Sequence, residues 1–183
     1  LIASILFFVF YCIWFFVDTL TVKQVGMDSI LLTLGASIAF FVFLRSFDSV
    51  YYVGILIFTF FAQFLGACLH FYEIFSLYDL VLHTCSGVLL ALLAHYLFSR
   101  FVLKEGEQVP VRVTLLVCFL FAVSCAAVWE NWEFSGDMLL GRQAQGSLVD
   151  TMTDIIGGTC GGIVGTVLVW IFFIRKKVTR QKG

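Results

Sequence analysis

The chain has 183 residues, of which 61% are hydrophobic and 13% charged, and its mean hydropathy is +1.04. Soluble domains are about 45–50% apolar and about 25% charged, so a soluble globular domain is excluded and an integral membrane protein is expected. The formal net charge of −1 decides nothing, because the distribution of Lys and Arg carries the information in such proteins.

A hydrocarbon core about 30 Å thick takes about 20 apolar residues per helix. Six segments meet that length: Leu1–Leu20, Asp28–Phe47, Ser49–Phe71, Asp79–Leu103, Val111–Phe134 and Asp150–Ile174. The fold class that follows is all-α, a polytopic membrane helical bundle forming a single transmembrane domain over residues 1–183. The first segment has neither a basic leader nor a small-residue cleavage site, so it reads as a membrane helix and not as a signal peptide. Pro110, the only proline, sits at the start of the fifth helix, where its missing N–H costs nothing. The six cysteines lack CxxC spacing and read as small buried hydrophobes. The one basic run, Arg175-Lys176-Lys177 with Arg180 and Lys182, reads as a cytoplasmic anchor, and nothing resembles a nucleic-acid surface.

Counting basic residues orients the chain. With both termini cytoplasmic, the inner side holds Arg45, Arg100, Lys104, Arg112 and the five C-terminal residues, while the outer side holds Lys23 and Arg142: nine against two. The positive-inside rule selects that arrangement. It brings three helical pairs to one depth near the outer face: Asp79 with His83, Glu130 with Glu133, and Asp150 with Asp154. His70 and Glu73 fall at the outer end of the third helix. Glu73, like Glu133, can simply reach the headgroups, and His70 has no helical partner.

Residues three or four apart share a helix face, with Cβ atoms about 5–6 Å apart. Each pair can therefore aim two ligands at one point. Mixed carboxylate and imidazole sets suit zinc, iron or manganese, and carboxylates alone suit harder cations. Ionisable groups at membrane depth are expensive and usually functional. A like-charge pair about 4 Å apart costs about 4 kcal/mol at an effective dielectric of about 20. Either a cation binds or some carboxyls hold protons. Asp79 and Asp150 also suit helix N-caps, but capping does not explain Asp154, His83 or Glu130. Asp79, His83, Glu130, Asp150 and Asp154 are thus candidate ligands for a divalent metal ion, and Glu130, Glu133 and Arg142 are candidate catalytic groups. Arg142, in the outer connection Ser135–Val149, suits a substrate phosphate or carboxylate, or else pairs with the nearby acids. Trp129 and Trp132 read as an aromatic belt. Gly157, Gly161 and Gly165, with Gly158 and Gly162, form a small-xxx-small pattern that allows close helix approach, and Ser86 and Gly87 give the fourth helix a similar thin face.

Tyr78-Asp79-Leu-Val-Leu-His83, then Trp129-Glu130-Asn-Trp-Glu133, then Asp150-Thr151-Met-Thr-Asp154 with trailing glycines resembles the YjdF-like family of small bacterial membrane proteins. The order is similar, more distantly, to VanZ-like proteins, whose pattern has Gln where this chain has Glu133 and Asn near Gly158; those departures favour the YjdF-like assignment. The likeness covers about the last hundred residues. It implies a multi-pass protein of the bacterial inner membrane, and VanZ-like members are associated with glycopeptide resistance.

Three functions fit these residues. One is a metal-assisted hydrolase or transferase acting on a lipid-linked or envelope substrate. Another is a proton- or cation-coupled transporter, although no inverted repeat is evident and the polar groups lie near one face. The third is a non-catalytic membrane partner, which the small net stability from buried charges argues against. In each case the bilayer itself is the constant partner. The orientation is tested by cysteine-accessibility labelling in intact cells. A Cys at Gln145 should be labelled and one at Gln108 should not; the reverse pattern would invert the site to the cytoplasmic leaflet.

Overall fold

The computed structural model describes residues 2–20, 27–104, 109–141 and 144–175. Among these there is no strand. Five helices are long and apolar enough to cross a membrane: α1 (Ile2–Leu20), α3 (Ser49–Cys68), α5 (Tyr78–Val102), α6 (Val111–Leu140) and α7 (Leu148–Ile174). Between them lie α2 (Met27–Leu44), whose shorter apolar stretch is Ile30–Leu44, and the single turn α4 (Phe71–Ile74). The chain is therefore an all-helical, multi-pass membrane protein. It divides into two compact units, Leu1–Tyr78 and Asp79–Gly183.

In the first unit, α1 and α3 run parallel and pair in rising register. The Ser4 and Tyr52 hydroxyls are hydrogen-bonded at 2.8 Å. Further along, Phe10 meets Phe60 with ring centroids 5.6 Å apart and Trp14 meets Phe64 at 4.9 Å. Tilted and edge-to-face rings of this kind add about 0.5–1.5 kcal/mol per pair beyond their buried area. From Phe60 to Cys68 the helix widens to the i→i+5 hydrogen-bond pattern, and it closes with Leu69 N–H donating to Phe64 O at 2.9 Å. It stops short of the expected Phe71 because His70 takes a left-handed backbone conformation, φ 58°. That turn also gives His70, expected to have no helical partner, one three residues on: Nδ1 lies 3.1 Å from Glu73 Oε1.

The second unit is built around α7. A Cβ on Gly161 would strike the Thr84 carbonyl of α5, and one on Gly165 would meet Ala91 Cβ at 2.7 Å. On the adjacent face, a Cβ on Gly158 would meet Ala126 Cβ of α6 at 2.7 Å and one on Gly162 would meet Ala122 Cβ at 3.0 Å. The two glycine registers thus serve different neighbours, Gly157, Gly161 and Gly165 facing α5 and Gly158 and Gly162 facing α6. Gly87 completes the seam from the α5 side, against the Gly158 carbonyl. Cys118 is buried as expected, whereas Cys85 and Cys160 are exposed; in an apolar solvent an outward thiol carries little penalty.

Helix α2 ends at Leu44 and not at Phe47, and two boundaries next to the acidic residues also differ from the expected ones. Helix α6 continues to Leu140 instead of ending at Phe134, because Ser135 satisfies its hydroxyl on the Asn131 carbonyl at 2.7 Å and the stop comes only at Gly141, φ 66°, whose N–H donates to Asp137 O at 3.1 Å. Helix α7 begins at Leu148, capped by Ser147, whose Oγ accepts from Asp150 N–H at 3.1 Å. Asp150 is therefore a first-turn residue and not the cap, and Asp79, second in its helix, is likewise not a cap.

The seam predicts a sharp contrast between glycines. Gly161→Leu should block the approach of α5 and lose most folded protein. Gly35→Ala on α2, where a Cβ meets nothing within 4 Å, should be neutral or stabilise by about 0.5–1 kcal/mol. Thermal unfolding in detergent checks both; a Gly161→Leu protein of unchanged stability would mean the seam is not packed.

Candidate functional site

Three helices of the second unit bring their acidic residues together at one end of the glycine seam. Asp79 and His83 lie one turn apart on α5. Glu130 lies one turn beyond Ala126 on α6, and Asp154 one turn before Gly158 on α7. Because the seam lets the helices approach closely, short side chains span the gap between them. His83 Nε2 stands 3.4 Å from Asp79 Oδ1 and 3.8 Å from Glu130 Oε1. One donor atom from each of Asp79, His83 and Asp154 lies within 4.8 Å of the other two.

Burial grades across the cluster. Glu130 and Asp154 are each 3% exposed, while the His83 side chain is 11% and that of Asp79 is 41% exposed. The cluster therefore opens on the Asp79 side and closes at the α6–α7 contact. Within the closed part, Glu130 Oε1 makes no hydrogen bond; His83 Nε2 stands 3.8 Å from it, and the buried Thr151 hydroxyl lies against the same carboxyl. Leaving a buried polar atom unpaired costs about 1–3 kcal/mol, and more for a charged one.

The remaining expected residues lie around this group. Glu133 is turned to its own helix, where its Oε1 accepts from Trp129 Nε1–H at 2.9 Å. It remains within electrostatic range of Glu130 and Asp79. Asp150 packs against Gly146 at the start of α7, near enough to act electrostatically on Glu130 and Asp154. Arg142 lies outside the described residues. His70 and Glu73 belong to the first unit, where they pair with each other.

The donor set fits a metal ion. Ligands about 2.0–2.2 Å from a tetrahedral zinc-like ion lie about 3.3–3.6 Å apart, so the observed spread would have to close by up to about 1.5 Å around one. A larger cation, with bonds of about 2.3–2.6 Å, would span it as it stands, but the imidazole favours the transition metals. Asp79, His83 and Asp154 are the residues able to hold such an ion, with Glu130 next to them.

A family model described as a predicted membrane protein (DUF2238) matches residues 1–176. The chain belongs to that family. No curated protein and no solved structure matches it. Family membership and the apolar helices together make it a multi-pass membrane protein.

Two residues next to the cluster were not anticipated. Thr151 is one turn from Asp154 on the same helix face, a spacing that is visible in the sequence. Asp137 accepts hydrogen bonds from Ala144 N–H and Gln145 N–H, at 2.9 Å each, and so ties the α6–α7 turn together. In the first unit, Asp18 of α1 is also buried; its signal was a carboxylate one turn from Trp14 and two from Tyr11 in an otherwise apolar helix.

Proposed function

We propose that the cluster is the divalent-metal centre of a hydrolase or transferase acting at the outer leaflet of a bacterial inner membrane on a lipid-linked or envelope substrate. Asp79, His83 and Asp154 are the ligands in this reading. Glu130 is the fourth ligand or the general base, with Glu133, Asp150 and Arg142 supporting it. The observation that carries the reading is Glu130 Oε1, buried without a hydrogen-bond partner beside three convergent donor atoms. Such an atom is costly in a low-dielectric interior unless something pairs with it, and a shared cation pairs with all four groups at once. A bound metal would supply Lewis acidity to a phosphoryl or carbonyl group.

The outer position rests on the nine-to-two distribution of basic residues. The bacterial setting rests on the ordered YjdF-like motifs. Within the protein, Glu130 would take up the proton released by the attacking group, since its free oxygen faces the ligand cluster and not solvent. His83 Nε2 faces both Asp79, at 3.4 Å, and Glu130, at 3.8 Å, so it is the ring nitrogen that this reading assigns to the metal.

Metal analysis of the purified protein, before and after chelation, is the direct measurement. Glu130→Gln and Asp154→Asn should lower both bound metal and the thermal stabilisation it confers. A metal that binds only the folded state stabilises it by about 2.7 kcal/mol at a hundredfold excess over Kd. In metal-free buffer the same substitutions should instead stabilise, because they remove like charges from a poorly screened site. The reversal of sign is the signature of a cation site. Equal destabilisation with and without metal would identify the acids as structural and end the enzymatic reading.

A further inference from the structure

Helix α6 is longer than a bilayer crossing needs. Its 30 residues rise about 45 Å against a hydrocarbon core of about 30 Å. Starting from Arg112 at the inner side, about 20 residues reach Trp132, and Trp129 and Trp132 are both exposed there, as an interfacial belt requires. By length alone, the remaining turns of α6 project beyond the hydrocarbon. Their composition is that of a lipid-facing segment: Met138, Leu139, Leu140 and, at the start of α7, Leu148 and Val149 are each at least 70% exposed.

An apolar patch of this kind marks a contact with a membrane or another protein. Two features select lipid. Met138, Leu139 and Leu140 are consecutive, about 100° apart around the helix, so they spread apolar surface over about 200° of it, wider than the single face a protein partner would cover. Phe134, exposed and one turn before Met138, links the patch to the tryptophan belt. Backbone that enters a bilayer must satisfy its own hydrogen bonds, and several terminal groups here do so: Asp137 accepts from Ala144 and Gln145, Gly141 N–H donates to Asp137 O, and Ser147 caps α7.

We propose that the facing ends of α6 and α7, Phe134–Leu140 and Leu148–Val149, are seated in the headgroup layer of the membrane, just outside the tryptophan belt. The acidic cluster then lies under a collar of lipid, with Glu130 ten residues, about 15 Å, below the end of α6. Its ligand reaches it laterally as a lipid or lipid-linked molecule and not from the aqueous phase. This last step rests on the cluster being a working site, as proposed above; the seating of the helix ends does not.

The seating is tested in proteoliposomes of bacterial phospholipid. A photoreactive benzophenone side chain in place of Leu140 or Leu148 should, on irradiation, give protein–phospholipid adducts by mass spectrometry. In the unsubstituted protein, Met138 should be protected from hydroxyl-radical oxidation to about the level of Met152, which lies within α7. Adducts to a second copy of the chain, or Met138 oxidised as fully as in unfolded protein, would overturn the proposal. Neither readout involves a metal, so its failure leaves the metal reading standing, and loss of the metal reading leaves the seating intact.

Discussion

Helix α7 can touch both of its neighbours only because it carries no side chains where it meets them. In water, apolar surface alone would drive helices together, but lipid tails are as apolar as leucine, and association inside a membrane depends on close packing and polar contacts. Gly161 against the Thr84 carbonyl, and Gly158 against Ala126, are contacts that any larger residue on α7 would prevent. The two registers differ by one position, which turns them toward different partners. A single helix therefore fixes α5 and α6 in the second unit, and the distances between helices in the acidic cluster follow from that approach.

What the seam brings together is electrostatically unfavourable by itself. Asp79, Glu130 and Asp154 surround one imidazole, and Glu133 and Asp150 add further negative charge within range. A single protonated His83 would offset one charge. Placing such a group where two of the acids are almost fully buried costs stability that apolar residues of the same volume would contribute instead. A cluster kept at that cost is better explained by a ligand than by packing, and among ligands a cation removes the most repulsion. This is why a buried Glu130 oxygen that makes no hydrogen bond carries more weight than the number of acids.

Much of this was legible in the sequence. The apolar spans, the i,i+3 and i,i+4 pairs, and the four-residue glycine repeat all reflect short-range periodicity, and they located the long helices and the side chains that meet. The boundaries were less legible. Ser135-Gly136-Asp137 has the composition of a turn, yet Ser135 bonds back to Asn131 and α6 continues. Asp150 has the look of a cap, yet Ser147 three residues earlier takes that role. The partition of the glycines between two neighbours, and the division of the five acids into a convergent group and a surrounding one, depend on helix rotation, which composition does not encode. Glu133 shows this well: it shares a face with Glu130 by spacing but is held by Trp129 one turn back.

The seam and the cluster are continuous along each helix, and this couples packing to chemistry. Ala126 precedes Glu130 by one turn, Gly158 follows Asp154 by one turn, and Thr84 is the immediate neighbour of His83. Going up the three helices, the residues at the contact change from glycine and alanine to carboxylate and imidazole, and the space between helices changes from closed to polar. A substitution that spreads the seam by an ångström would therefore shift His83, Glu130 and Asp154 apart by about as much. In the proposed metal centre, ligand distances would tolerate only about 0.2 Å of such error. The glycines and alanines touch no ligand, yet they set the ligand distances, so damage to them should reach the site before it unfolds the chain.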